Sequence, residues 1–278
     1  MKPQYVYIIL LFLLGSCQRE QIVDLEVPHK RKLVASLFLR ADANSASAYL
    51  THTTPVFGTE PRTDPAYVTT GSGYIRNPGS AETWSFVYDS QDLDYKTSLD
   101  PATFRPGQQY EVSFSDEYET VTGTTTVPYP VAASVSVKID SVMEFGSYTY
   151  NVTVTCTILS EGSFYVQLSP VILFEDGSVY PMYASTLERN IRESVKGQSF
   201  SQKYTAPFAS EFIRPTEVQV MLISCDKTYA GFYNSSGEIS FDDLGPITEP
   251  SFAYSNMSNG VGVFASYTIS DTYTFPVR

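Results

Sequence analysis

The sequence predicts an all-β protein: two Ig-like or fibronectin-like β-sandwich domains with one or two short helices. Three observations carry that expectation. Tyr (21) and Phe (17) are abundant, and Thr, Ser and Val recur throughout; these residues suit a pleated, half-buried surface. Apolar and polar positions alternate with period two, most cleanly in "YTYNVTVTCTI", where Tyr148, Tyr150, Val152, Val154, Cys156 and Ile158 share one face. Turn residues punctuate these runs, as at Pro106-Gly107 and Asp176-Gly177.

The elements follow in order. Lys2, a short apolar run from Tyr5 to Leu14 and small residues after it describe a secretion leader over residues 1–16. The run falls short of the roughly 20 residues that span a bilayer. Leu14-Gly15-Ser16-Cys17 resembles a lipobox, the recognition site of bacterial lipoprotein signal peptidase. That resemblance implies that Cys17 becomes the new N-terminus and carries acyl chains. Several chains hold a protein firmly, at about 0.8 kcal/mol per buried methylene. Residues 17–32 then form a tether, whose run Lys30-Arg31-Lys32 reads as a solvated linker.

The first sandwich is expected over residues 33–127. "LVASLFL" (Leu33 to Leu39) is its first strand, followed by a polar break and a second strand from Tyr49 to Thr54. Three prolines and a glycine make Pro55 to Pro65 a loop. Ala66 to Thr70 is a short strand, and "ETWSFVY" places Trp84, Phe86 and Tyr88 on one face. Tyr110, Val112 and Phe114 alternate with polar residues after the Pro106-Gly107 turn, and a Thr/Val strand runs from Glu119 to Val127. Pro128 and Pro130 cannot join a central ladder and mark the domain boundary.

The second sandwich is expected over 131–275. Ala133 to Ile139 opens it, and the "YTYNVTVTCTI" strand follows with Cys156 facing the core. Phe164–Leu168 and Val171–Phe174 are strands, and Asp176-Gly177 closes a hairpin. Ser185 to Lys196 repeats Leu187, Ile191 and Val195 every four residues behind a Ser185/Glu188 capping box, which predicts a short helix. Val218 to Ser224 is a strand. Tyr229, Phe232 and Tyr233 then stand at helical spacing, with Asp226 as the cap. Val261 to Ile269 is a glycine-opened final strand.

Charge and chemistry narrow the function classes. The net charge is −12, from 18 basic and 30 acidic residues, and loss of Lys2 with the leader makes it more negative. This argues against nucleic acid or a polybasic hold on anionic lipid. With Cys17 acylated, Cys156 and Cys225 remain; a disulfide between them and two separate buried thiols are both open. The two histidines, His29 and His52, are far apart in sequence and supply no zinc motif, and no G-x-S-x-G elbow, P-loop or dinucleotide fingerprint occurs. No catalytic residue, metal site or cofactor is expected. Asp92, Asp94 and Asp100 are the best local carboxylate cluster, with an exposed acidic loop as the preferred reading over a glycosidase pair or a cation loop. Asp242-Asp243 reads as a turn. Tyr67, Tyr74, Trp84 and Tyr95 are the candidate ligand or partner contacts, since loop aromatics stack on ligands and anchor interfaces.

Several segments, in order, resemble the Bacteroidetes lipoproteins grouped as domain of unknown function 4249. They are "VDLEVPHKRKLVASLFL" after the lipobox, "DPAYVTT", "RPGQQYEVSF" with "VTGTTTVPYPV", "CDKTYAGFYNS", and "EPSFAYSNMSNGVGVFASYT" with its G-x-G-x-F ending. Ser36 stands where the family's first strand carries glycine, and Met257 where it carries isoleucine. The resemblance implies an envelope lipoprotein encoded beside a TonB-dependent receptor, with no established catalytic residues. The expectation is therefore a non-enzymatic outer-membrane lipoprotein, held by lipid, that assists such a receptor in nutrient uptake. A structural or adhesive surface module and a carboxylate-based hydrolase are the alternatives. The face of the membrane it occupies stays open, since Gln18-Arg19-Glu20 supplies one acid and one base.

Overall fold

The computed structural model describes residues 31–53, 67–80, 82–98, 104–144, 147–184, 191–209, 214–236 and 254–277. In chain order these give β1 (Leu33–Arg40), β2 (Ser45–His52), β3 (Ser72–Arg76), β4 (Thr83–Ser85), β5 (Val87–Asp89), β6 (Asp94–Ser98), β7 (Gln109–Ser115) and β8 (Thr120–Thr126). There follow β9 (Ala133–Glu144), β10 (Ser147–Ile158), β11 (Ser163–Phe174), β12 (Val179–Pro181), β13 (Tyr183–Ala184), β14 (Ile191–Val195), β15 (Ser199–Ala209) and β16 (Pro215–Cys225). Helix α1 (Lys227–Ser236) and the long strand β17 (Val261–Pro276) complete the order. The protein is all-β and sandwich-like, with this one helix among the described residues.

A nine-stranded sheet runs β12-β11-β16-β17-β1-β2-β6-β5, with β14 also paired to β11. Two four-stranded sheets, β4-β3-β7-β8 and β13-β15-β10-β9, cover parts of it. The first shares a core with β1 and β2 through Leu33, Leu37, Leu50, Ile75, Tyr110, Phe114 and Val121. The second shares one with β11 and β16 through Val152, Val154, Cys156, Val166, Ile172, Val218 and Val220. Period-two burial explains both: alternate residues of β8 and β10 point inward while the Thr and Ser between them face water. α1 lies over a third cluster, where Phe38 of β1 meets the rings of Tyr229, Phe232 and Tyr233. The centre of the large sheet is thus covered on both faces, which suits the parallel pairing of β1 with β17.

β17 ties the two halves together. Phe264 on it belongs to the first core, whereas Tyr273 and Phe275 pack on the second. The Pro128–Pro130 segment runs between the two cores; Met257 and Phe264 join the first, and Val263, Ala265 and Tyr267 join the cluster beneath α1. Side chains of β17 also hold the connecting segment along its length. Thr268 Oγ1 donates to Pro128 O at 2.8 Å, Ser270 Oγ accepts from Val131 N at 2.9 Å, and Tyr273 Oη donates to Ala133 O at 2.8 Å.

Five local expectations change, the first being Ala66 to Thr70, whose described part makes only a single bridge from Tyr67 to Thr51 and no strand. The helix expected over 185–196 is not formed in its described part: 191–195 is β14, paired with β11, with Ile191 buried beneath α1 and Val195 exposed. The "polar break" before Tyr49 hides a strand, because Ala46 and Ala48 are small enough to line the core there. "ETWSFVY" is not one strand. It turns at buried Phe86, whose N–H donates to Gly73 O at 2.8 Å, so β4 and β5 enter different sheets. Phe164–Leu168 and Val171–Phe174 form one strand despite Pro170, because β14 pairs up to Gln167 and β12 from Val171. The missing N–H of Pro170 falls in the gap between them.

A candidate ligand-binding groove and an acidic hairpin

A broad groove opens beside the second sandwich. β9 is the outer strand of its sheet, and β17 loses its β1 partner after Tyr267. Between them lies a groove of about 870 Å³. Val137, Ile139, Tyr148 and Tyr150 line one wall and Pro276 and Val277 the other, with Glu175, Arg214 and Thr216 at the polar side. The side chains of Val137 and Ile139, core-facing by pattern, stay half-buried. Tyr148 and Tyr150 stack with centroids 6.2 Å apart and planes at 24°, and Phe174 meets Tyr150 edge-on at 6.3 Å. Burial, reinforced by Tyr148, raises the Tyr150 phenol above its ordinary pKa against the opposing pull of Arg214. The phenol is therefore a neutral hydrogen-bond donor at neutral pH. Aromatic rings beside the polar and charged groups of Ser141, Glu175, Arg214 and Thr216 suit a ligand that combines an aromatic or apolar part with several polar groups.

The structure does not bring the four predicted aromatics into one surface. Tyr95 is 1% exposed; its hydroxyl accepts from Gly71 N at 2.8 Å and its ring packs on Tyr88. Trp84 packs on the first core against Phe104. Tyr95 is thus a core residue, and Trp84 is half-buried at the edge of that core. Tyr67 and Tyr74 remain exposed. Tyr74 lines a groove of about 290 Å³ beside the Arg76–Glu111 ion pair (2.5 Å), Thr122, Thr124, Asn256 and Ser258.

Asp92 is exposed on the loop between β5 and β6, whereas Asp94 opens β6. Asp94 is buried, and Asp89, which the sequence reading did not single out, joins them. Lys96 Nζ bonds Asp89 at 2.8 Å and also Asp92. The carboxylate of Asp89 is lowered first by that bond, then by the Gln91 N–H, and the two carboxylates hold Lys96 charged. Cys156 and Cys225 are buried free thiols in different core clusters and form no disulfide. Burial pushes the Cys156 thiol up to about 11 and raises that of Cys225 as well. His52 is not a free surface residue: its Nε2 meets Asp116 Oδ2 at 2.6 Å with both side chains nearly buried. Leu14, Gly15, Ser16, Cys17, His29, Asp100, Asp242 and Asp243 lie outside the described residues.

The family profile described as Domain of unknown function (DUF4249) matches residues 20–272. The chain belongs to the DUF4249 family. A crystal structure of a DUF4785 family protein from Legionella pneumophila subsp. pneumophila str. Philadelphia 1 is similar at 13% identity and a TM-score of 0.23, over 68% of this chain and 52% of that one. The DUF4249 chain spans about half the length of that protein, and a likeness this slight carries no argument. Comparison with curated proteins gives no match.

The motifs that resemble DUF4249 have structural work in this member. In "RPGQQY", Gly107 takes φ +80° and Tyr110 Oη reaches back to accept from Arg105 N at 3.2 Å, pinning the entry to β7. In "GVGVF", Gly262 takes φ +136° against the Ala35 carbonyl, and Phe264 is fully buried. "CDKTYAGFYNS" is α1 with its cap: Asp226 Oδ1 accepts from Tyr229 N at 2.7 Å. None of these motifs lines the 870 Å³ groove. Its tyrosines alternate like core residues, so their local pattern does not distinguish them.

Proposed function

We propose that this DUF4249 protein is a non-enzymatic ligand-binding lipoprotein of the bacterial outer membrane, anchored through Cys17, that works beside a TonB-dependent receptor in nutrient uptake. The observation that carries the binding role is the groove between Ile139, Tyr148 and Tyr150 on one sheet and Pro276 and Val277 on the other. Its volume lies in the range of small-molecule sites, and rigid strands on both sides preorganise it. Leu14-Gly15-Ser16-Cys17 supports the anchor. A lipid-held body stays near the pore, so transfer of a captured ligand becomes nearly intramolecular and its effective concentration rises.

The test starts from native protein in solubilised envelopes. Mass spectrometry is expected to find an acylated Cys17 at the N-terminus, and affinity purification to recover a receptor barrel. The pair Tyr148→Ala and Tyr150→Ala is expected to lower uptake of the receptor's ligand without changing membrane association. An unmodified Cys17 behind an intact leader, or purification without a receptor, overturns the reading. Unchanged uptake with altered cell-surface contacts would instead favour the adhesive module.

A further inference from the structure

The β5–β6 hairpin gathers three carboxylates around one point. Asp89 and Asp94 pair directly across the two strands, so their side chains leave the same face. Asp92 enters from the loop that joins them. Oxygens of Asp89, Asp92 and Asp94 all lie within 4.8 Å of one another. Like charges placed opposite each other in an antiparallel pair destabilise it. Lys96 returns one positive charge, through its bonds to Asp89 and Asp92, and the cluster keeps an excess of negative charge.

Asp94 supplies an independent observation. Its side chain is 3% exposed, and its buried Oδ1 has no hydrogen-bond partner. That oxygen faces the cluster, 3.8 Å from Lys96 Nζ and beyond hydrogen-bond distance. A buried carboxylate oxygen without a donor is costly unless a cation completes its surroundings.

We infer that this hairpin binds a divalent cation, with Asp89, Asp92 and Asp94 as ligands. Three carboxylates on one hairpin are hard oxygen donors, and calcium tolerates irregular oxygen geometry better than magnesium. The ion takes the place of the Lys96 ammonium, which is about a third exposed and can swing into water. Competition from that ammonium sets a weak affinity, on the order of 10⁻⁴–10⁻³ M as in extracellular calcium modules. The ion would clamp β5, the outermost strand of the large sheet, onto β6.

Tyr88 and Tyr95 neighbour the ligands in sequence and pack 5.2 Å apart, so they can sensitise bound terbium. The full chain is titrated with TbCl3, followed by competition with CaCl2. Saturable emission that calcium displaces is expected. Lys96→Met is expected to tighten binding about tenfold, and Asp94→Asn to weaken it at least tenfold. Asp92→Asn, at an exposed position that leaves the core intact, is expected to weaken it similarly. Lack of saturable emission from the wild-type chain overturns the inference, and so does an Asp92→Asn variant that binds like the wild type.

Discussion

The hydroxyl of Thr268 donates to the carbonyl of Pro128 at 2.8 Å, across 140 residues of sequence. Thr268 is 3% exposed, so water cannot replace it. Thr268→Val keeps the shape and removes the donor. It is expected to cost about 1–2 kcal/mol in urea unfolding, because the Pro128 carbonyl is left without a partner. Tyr273→Phe, which frees the Ala133 carbonyl, should act in the same direction.

Gly262 sits where β17 runs beside β1. A Cβ there would overlap the Ala35 carbonyl, and φ is +136°. Gly262→Ala is expected to lose more than about 2 kcal/mol. Gly177→Ala is the control: φ is +83° with open space around it, and about 1 kcal/mol is expected. Thermal melts of the two variants check the order.

Asp226 is a buried cap whose pKa is raised, first by burial, against hydrogen bonds from Thr125, Tyr229 N and Ser266 that pull it down. A carboxyl with a folded pKa above its unfolded value favours the fold most at low pH, and that contribution is lost as pH rises through the folded pKa. Asp226→Asn keeps the acceptor without the charge. Its melting temperature relative to wild type is therefore expected to rise between about pH 3 and pH 7. Asp226→Ala should lose about 1 kcal/mol or more with the cap.

Asp116 has the opposite sign. Burial alone would raise it, but bonds from Glu119 N, His52 and Tyr118 N outweigh that, and the net shift is downward. Such a group stabilises above its unfolded pKa of about 3.9, and the contribution is lost as pH falls through the lower folded value. Asp116→Asn is expected to cost about 2 kcal/mol at pH 7, with the deficit shrinking below about pH 4. Denaturant titrations at pH 7 and pH 3 measure both.

Cys156 and Cys225 are buried thiols with raised pKa values. Neither should react with a thiol reagent until the protein unfolds, and reductant should leave the melting temperature unchanged. Rapid labelling of either cysteine in the native state would contradict their placement.

Much of the fold was legible because its signals are local. The Asp226 cap, the Asp176-Gly177 hairpin and the alternation in β7, β8 and β10 need only neighbouring residues to act. What the sequence hid depends on partners far away. Ile191 and Val195 fit a helical period, yet β11 offers an open edge that takes them as strand. Ala46 and Ala48 read as polar spacing until Tyr95 and its neighbours fill the core beside them. Tyr95 looked like a surface aromatic, and only Gly71 and Tyr88 explain its burial. Tyr148 and Tyr150 looked like ordinary core, because whether a wall is covered depends on where the facing sheet stops.

The placement of β17 between β16 and β1 governs the order in which this protein is assembled. Leu33 to Arg40 leave the ribosome among the earliest strand residues, yet their parallel neighbour is made more than two hundred residues later. Without Gly262 and Phe264 in place, β1 and β16 each lack their shared neighbour at the middle of the sheet. Closure of the great sheet therefore requires its last-made strand, and a chain cut short before it leaves two raw edges open to neighbours.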